Sequence, residues 1–381
     1  MAKRIYVGID GVARQVKKMY VGVDGVARRV KKAYIGIGGV ARPCFGGVLE
    51  YYGAITPLSV GRSNLAATTV GGYAVFAGGK EPDAYSGDID AYDTNLTKVD
   101  TSAKGLRSNC SDLAATTVGN DALFAGGVYV SGSNSYYRAV VNAFDENLLR
   151  SLPTQLGVAR SKLAAATAGN KAIFAGGYNG SDKSEVDSYE SDTLTRSVPV
   201  NLLSEGRCEL AATTIEGYAI FAGGLFGSTI RNTIDAYDNN LTRTTPSELL
   251  TNGRCRLAAT TIEGYAIFGG GYASGATTNF VDVFDASLTK KTNVSALSEG
   301  RCDLAATTIE GYAMFAGGRR AGVNLPSEVV DCYDASLTLQ TKSLGDARSN
   351  LAATAVKNKA LFGGGVNEAN AISDAVEVYT T

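Results

Sequence analysis

The sequence predicts an all-β chain: a seven-bladed β-propeller whose N-terminal strand closes the last blade, preceded by a small β-hairpin repeat module. Three observations carry this expectation. The block LAATTVGGYAVFAGG, first met at Leu65, recurs at Leu113, Leu163, Leu210, Leu257, Leu304 and Leu351, 47 to 50 residues apart. Each copy reads as short runs of small, β-branched and aromatic residues broken by turn residues. A shorter repeat of period 14 precedes them, marked by Tyr6, Tyr20 and Tyr34.

Four strands are expected per long repeat. In the first copy the innermost runs from Leu65 to Val70, and the turn Gly71-Gly72 follows. The second runs from Tyr73 to Ala77 and ends in Gly78-Gly79. After a loop of changing sequence, the third runs from Ile89 to Asp93 with period-2 alternation. A turn opened by Asp93 leads to a fourth strand expected to start at Leu96, since a turn Asp bonds its own backbone two residues on. Four antiparallel strands at a period of about 40 to 50 residues describe a propeller blade. The Ala66-Ala67 pair suits inner strands that converge on an axis, where large side chains would collide. Phe76, Phe124, Phe174, Phe221, Phe268, Phe315 and Phe362 lie farther out, as do Tyr92 and its equivalents, and are expected to pack between sheets.

The last repeat stops at Thr381, just after its third strand, while Tyr51 to Pro57 matches the fourth-strand position. The front of the propeller is therefore expected to complete the seventh blade and remove an exposed edge. This places residues 48–381 in the propeller and residues 1–47 in a separate basic module.

In that module, Asp10-Gly11 and Asp24-Gly25 sit between alternating apolar runs, a strong two-residue hairpin signal. The third unit carries Gly38-Gly39 and is expected to break at Pro43. Residues 1–47 hold ten Lys/Arg and two Asp within a chain of net charge −1. Such small hairpins bury little surface alone. The module reads as a docking or oligomerisation element that pairs with itself or another protein; a flexible basic leader and a nucleic-acid arm are the plainer alternatives.

Composition excludes several chemistries. The chain has no histidine and no tryptophan. Histidine-based acid–base catalysis, a Ser-His-Asp triad and His-ligated zinc or copper are out. The six cysteines form no C-x-x-C pair, so no metal and no cofactor is expected. Cys208, Cys255 and Cys302 take the place of Ser63, Ser111, Ser161 and Ser349, and behave as small isosteres. Near-neutral charge argues against nucleic-acid binding, and no run is long and apolar enough for a spanning helix. The N-terminus lacks a secretory h-region. Synthesis in the cytosol without a signal peptide is expected.

The elements Arg62-Ser63, Gly78-Gly79 and Tyr92-Asp93, and again Arg160-Ser161 and Gly176-Gly177, resemble the kelch family. That resemblance implies a propeller. The chain departs from it at Leu96, Leu148, Leu194, Leu241, Leu288 and Leu337, where the family usually has Trp. The tandem YVGIDGVAR units are similar to repeats in structural proteins of phages and prophages of Gram-positive bacteria. This resemblance implies a virion location and a tail, fibre or surface role, with a cytoplasmic location as the alternative.

Two readings are open for Arg62, Arg160, Arg207, Arg254, Arg301 and Arg348, each three residues before the Leu. One is a ring of guanidinium groups at a channel mouth, gripping a carboxylate or phosphate. The other, favoured because the family pattern has Arg here, is a structural residue packed between blades and paired with a carboxylate. The acids Asp90, Asp187, Asp235, Asp282 and Asp331 recur as scaffold does. No catalytic residue is assigned.

What varies is the loop after each double glycine, rich in Tyr, Ser, Asn and Gly, which is recognition chemistry. The candidate ligand contacts are Tyr85, Tyr129, Tyr136, Tyr137, Tyr178, Tyr272 and Arg319. The expected partners are a host-surface glycan or protein at these loops, and other virion proteins or a second copy at residues 1–47. The alternatives are a kelch-type enzyme such as a sugar mutarotase, and an intracellular interaction adaptor.

Overall fold

The computed structural model describes residues 48–381 apart from Ala103, Ala321, Val323 and Asn324, and the backbone of six strands between Tyr6 and Phe45. Those six strands form three separate antiparallel pairs: Tyr6–Ile9 with Val12–Gln15, Met19–Val23 with Val26–Val30, and Ala33–Ile37 with Val40–Phe45. The turn dipeptides expected from the sequence lie outside the described residues. The third hairpin does not break at Pro43. Its second strand runs through the proline, opposite Tyr34, and the register shifts between Ala33 and Tyr34. A strand outside a larger sheet has no partner on its far side to miss the absent N–H.

Seven four-stranded antiparallel sheets follow. The first comprises Ala66–Val70, Tyr73–Ala77, Ile89–Tyr92 and Lys98–Val99. The next five repeat that order. The seventh comprises Ala352–Val356, Lys359–Gly363 and Val376–Thr380, and takes Glu50–Ile55 as its outer strand. The ring is therefore a closed seven-bladed β-propeller, and its ends meet in one sheet.

The fourth strand starts two residues later than expected. Leu96 has φ +68° and stands in the turn. The Asp93 carboxylate accepts the N–H groups of Asn95 and Thr97, both at 2.8 Å. That turn holds the chain back until Lys98.

The core is seven interfaces between blades. Every blade is two-faced because successive side chains of a strand point to opposite sides. One face carries the aromatic pair, Phe76 with Tyr92 in the first blade, centroids 6.1 Å apart and edge-to-face. It meets the aliphatic face of the preceding blade, where Val356, Leu361, Val376 and Val378 wait. The other face, with Val75, Ala77 and Ala91, receives Phe124 and Phe144 of the next blade. The pattern repeats at all seven interfaces. Each edge-to-face pair adds about 0.5–1.5 kcal/mol to the burial of its rings.

Glycine is required where blades interlock. Gly223 has φ +67°, and a Cβ there would lie 2.4 Å from the Arg254 carbonyl oxygen. The N–H of the next residue, Gly224, donates to that same oxygen at 3.0 Å. The equivalent bond occurs at each interface, and Gly365 to Arg62 closes the circle.

Candidate functional site

The six framework arginines do not form a mouth. Each is fully enclosed, at 0 % exposure. Each pairs with the acid of the third strand: Arg160 with Asp187 at 2.9 Å, Arg207 with Asp235 at 2.7 Å, Arg254 with Asp282 at 2.6 Å and Arg348 with Glu377 at 2.7 Å. Arg62 pairs with Asp90 and Arg301 with Asp331 in the same way. The acid also accepts a backbone N–H from the segment arriving from the preceding blade, such as Ser59 to Asp90 or Gly157 to Asp187, both at 3.0 Å. Arg and acid thus clip the incoming connection to the third strand. Burial would raise the Asp282 carboxyl, but Arg254, Lys290 and Thr251 outweigh it and hold it below the usual carboxylate range.

The channel mouth is built one residue before each Leu, by Asn64, Asp112, Lys162, Glu209, Arg256, Asp303 and Asn350. All seven have positive φ, between 51° and 55°. The backbone N–H of each donates to the carbonyl of its predecessor in the ring, at 2.9–3.1 Å, and Asn64 to Asn350 completes the loop. Below this girdle the inner strands expose only alanine and threonine. The Thr167 hydroxyl donates to the Thr117 carbonyl at 2.6 Å and Thr214 to Thr167 at 2.8 Å, stitching neighbouring inner strands together.

The mouth side chains are mixed in charge. Glu209 lies between Lys162 at 2.6 Å and Arg256 at 2.9 Å. Burial would raise the Glu209 carboxyl, and these two cations more than reverse that. Asp112 accepts from the Ser111 hydroxyl at 2.7 Å. Burial pushes its carboxyl up, and the negative charges of Glu209 and Asp303 add to that. Sequence reasoning passed over these residues. The available signal was one position that takes five residue types in seven repeats beside inner strands that hardly change.

The variable loops open on the same face as this mouth. The residue next to each mouth position pairs with the first residue after the double glycine: Ser63 with Lys80, Ser111 with Val128, Ser161 with Tyr178, Cys208 with Leu225 and Cys255 with Tyr272. The pairings Cys302 with Arg319 and Ser349 with Val366 complete the set. The opposite face carries the short turns, and those between the first and second strands keep one length of two residues in every blade.

The loops bring together part of the expected contact set. In the second blade Val128–Ser131 pairs with Asn134–Tyr137 as a projecting hairpin. Tyr129 lies opposite Tyr136 on one of its faces, with centroids 6.2 Å apart. Tyr85 of the first blade joins that face, 5.3 Å from Tyr129. Its hydroxyl meets the Val130 backbone, and burial together with the nearby Asp112 charge raises its pKa. Tyr137 is on the other face, 6.1 Å from Tyr178 of the third blade. Tyr136 is 48 % exposed and the others are half-buried. Tyr272 and Arg319 belong to the fifth and sixth blades and lie apart from this cluster. A cleft of about 660 Å³ between the fourth- and fifth-blade loops is lined by Ile230, Ala273, Thr277 and Phe280.

The five cysteines with described side chains are buried and free. Burial is the first cause that raises their thiols, to about 11 at Cys255 and about 12 at Cys110, Cys302 and Cys332. Among the described residues no group of Cys, Asp and Glu is arranged to hold a metal ion, and no helix is long and apolar enough to cross a membrane.

No family model matches the chain, and no curated protein matches it. Solved structures do. The one titled "Structure of YjhT" superposes with a TM-score of 0.55 at 14 % identity, over 72 % of this chain and 98 % of that one. Likeness at that identity speaks for the fold alone, and the seven blades are counted from this chain's own sheets.

Proposed function

We propose that this chain is a non-catalytic binding protein whose propeller displays one recognition face. The observation that carries this reading is where variation falls. All seven loops that diverge in length and sequence, and the mouth position that takes five residue types, lie on the same side of a framework whose inner strands are close copies. A rigid scaffold with adaptable Tyr-, Ser-, Asn- and Gly-rich loops is the arrangement of a recognition surface. The ligand is a glycan or protein of a host surface. The setting is a phage or prophage particle, where the hairpin repeats of residues 1–47 attach the chain to other virion proteins or to its own copies. The hairpin repeats and their likeness to phage structural proteins support that setting, as does the basic charge of the module.

A glycan array probed with the full chain tests the recognition face. Binding that falls at least tenfold in Tyr136→Ala supports it, and binding unchanged in that variant counts against it. Mass measurement with and without residues 1–47 tests the attachment role. An identical monomeric mass for both forms, with no virion protein retained by either, counts against docking.

A further inference from the structure

The second blade lacks the framework ion pair. Cys110 stands where the other blades have Arg, and Asn142 where they have Asp or Glu. One cation lies near that gap. Arg138 closes the projecting hairpin and its backbone N–H donates to the Gly127 carbonyl at 2.8 Å. Its guanidinium lies 5.6 Å over the Tyr129 ring. It is close enough to Cys110 to pull that thiol down against burial. Yet Arg138 makes no ion pair among the described residues; its Nε, like that of Arg231 and of five framework arginines, is buried without a hydrogen-bond partner, so the missing carboxylate is what sets it apart. The framework arginines all have carboxylates, and so does Arg231, the residue in the corresponding place of the fourth blade, which pairs with Glu205 at 2.9 Å.

A half-buried guanidinium beside an aromatic ring, with no carboxylate partner among the described residues, is suited to receive an anion. Tyr129, Tyr136 and Tyr85 beside it offer ring faces and hydroxyls. Such faces pack against the C–H surface of a pyranose while the hydroxyls exchange hydrogen bonds with it. We propose that Arg138, backed by Tyr129 and flanked by Tyr136, binds the charged group of an anionic saccharide whose ring rests on the tyrosines. This rests on the glycan reading given above and adds the charge class of the ligand. The anionic group is a carboxylate or a phosphate, which share the planar or forked acceptor geometry that Arg matches.

The test uses the full chain on an array of acidic bacterial surface polysaccharides, each printed in native form and as its carboxyl-reduced or dephosphorylated counterpart. Native members are expected to bind, and their neutralised counterparts to bind about 10- to 100-fold more weakly, the range for a hydrogen bond to a charged group. Arg138→Met is expected to bring native binding down to the level of the neutralised form and to leave binding of the neutralised form unchanged. Arg138→Lys, which keeps the charge but not the forked guanidinium, is expected to fall between. It also serves as the readout should the methionine variant fail to fold. Loss on carboxyl reduction identifies a uronate-type ligand, and loss on dephosphorylation a phosphate-bearing one. Equal binding of native and neutralised forms by the wild type overturns the role of Arg138 and leaves the glycan reading standing. Binding to no saccharide overturns both.

Discussion

The second blade and its six neighbours solve one structural problem in two ways. Six blades fix the connection arriving from the preceding blade with a buried Arg and a buried acid. The second blade keeps the connection and drops both charges. Asn142 Oδ1 accepts the Arg107 N–H at 2.8 Å, as Asp90 accepts Ser59. The Cys110 thiol sits 3.6 Å from the Gly126 carbonyl, where Arg160 Nε meets Gly176 at 2.7 Å. The neutral backbone clasp is therefore common to all seven blades, and the ion pair is an addition that comes or goes as a unit. That is the behaviour expected of buried charge: a pair can be replaced whole at little cost, whereas one partner left alone is expensive.

The comparison can be broken most sharply in the fifth blade. Asp282→Asn strands Arg254 and is expected to cost about 3–5 kcal/mol, whereas Arg254→Cys leaves Asp282 its outer partner Lys290 at 2.5 Å and is expected to cost less. Arg254→Cys with Asp282→Asn, the second-blade solution transplanted, is expected to cost much less than the two single losses together. Urea denaturation of the four proteins in a double-mutant cycle gives the coupling, and additive losses would refute the argument. The reverse graft comes next. Cys110→Arg alone buries an unpaired guanidinium and is expected to lose more than about 2 kcal/mol, with Asn142→Asp restoring part of it.

Ring closure offers a milder case. In the seventh blade the Tyr51 hydroxyl of the closing strand donates to Glu377 at 2.7 Å, joining the Arg348 pair. Burial and then that carboxylate raise the Tyr51 phenol to about 12. Tyr51→Phe is expected to lower stability by about 1 kcal/mol without opening the ring, measured by the same denaturation.

Acid gives a smaller and graded effect. The Asp282 and Glu209 carboxyls are depressed in the folded chain. The stability they contribute is present above the unfolded carboxylate value, about 4, and is lost as pH falls through their lower folded values. Denaturation midpoints between pH 5 and pH 2 should decline, and less steeply in the Arg254→Cys, Asp282→Asn double variant. The least effect is expected at the thiols. With their pKa values raised and their side chains buried, Cys110, Cys208, Cys255, Cys302 and Cys332 should resist alkylation at pH 8 until the protein is unfolded. Mass spectrometry after a timed pulse checks this.

The repeat made the fold legible before any coordinates. Period, double glycines and the Tyr51 segment gave the blade number and the closing strand. Strand limits were less clear where turn chemistry overrides pattern, as at Leu96, whose apolar side chain reads as strand while its backbone is left-handed. The arginines were legible as a repeated residue, but a mouth and a blade interface both place one cation per repeat. Only burial separates them. The tyrosine cluster was half legible: composition marked the loops, while the split of Tyr136 and Tyr137 onto opposite hairpin faces depends on a register that the sequence leaves open. The mouth residues escaped because each looks like an ordinary polar surface residue on its own.

Those seven mouth positions carry one more lesson. Their mutual bonds use main-chain atoms alone, so the girdle holds with any side chain that tolerates the left-handed backbone, which leaves out proline and disfavours Val, Ile and Thr. Asn, Asp, Lys, Glu and Arg already occupy equivalent seats in this one molecule. The propeller thus has a rim that can be rewritten seat by seat while its architecture stands still, an arrangement that lets a lineage, or an engineer, sample new specificities without first solving folding again.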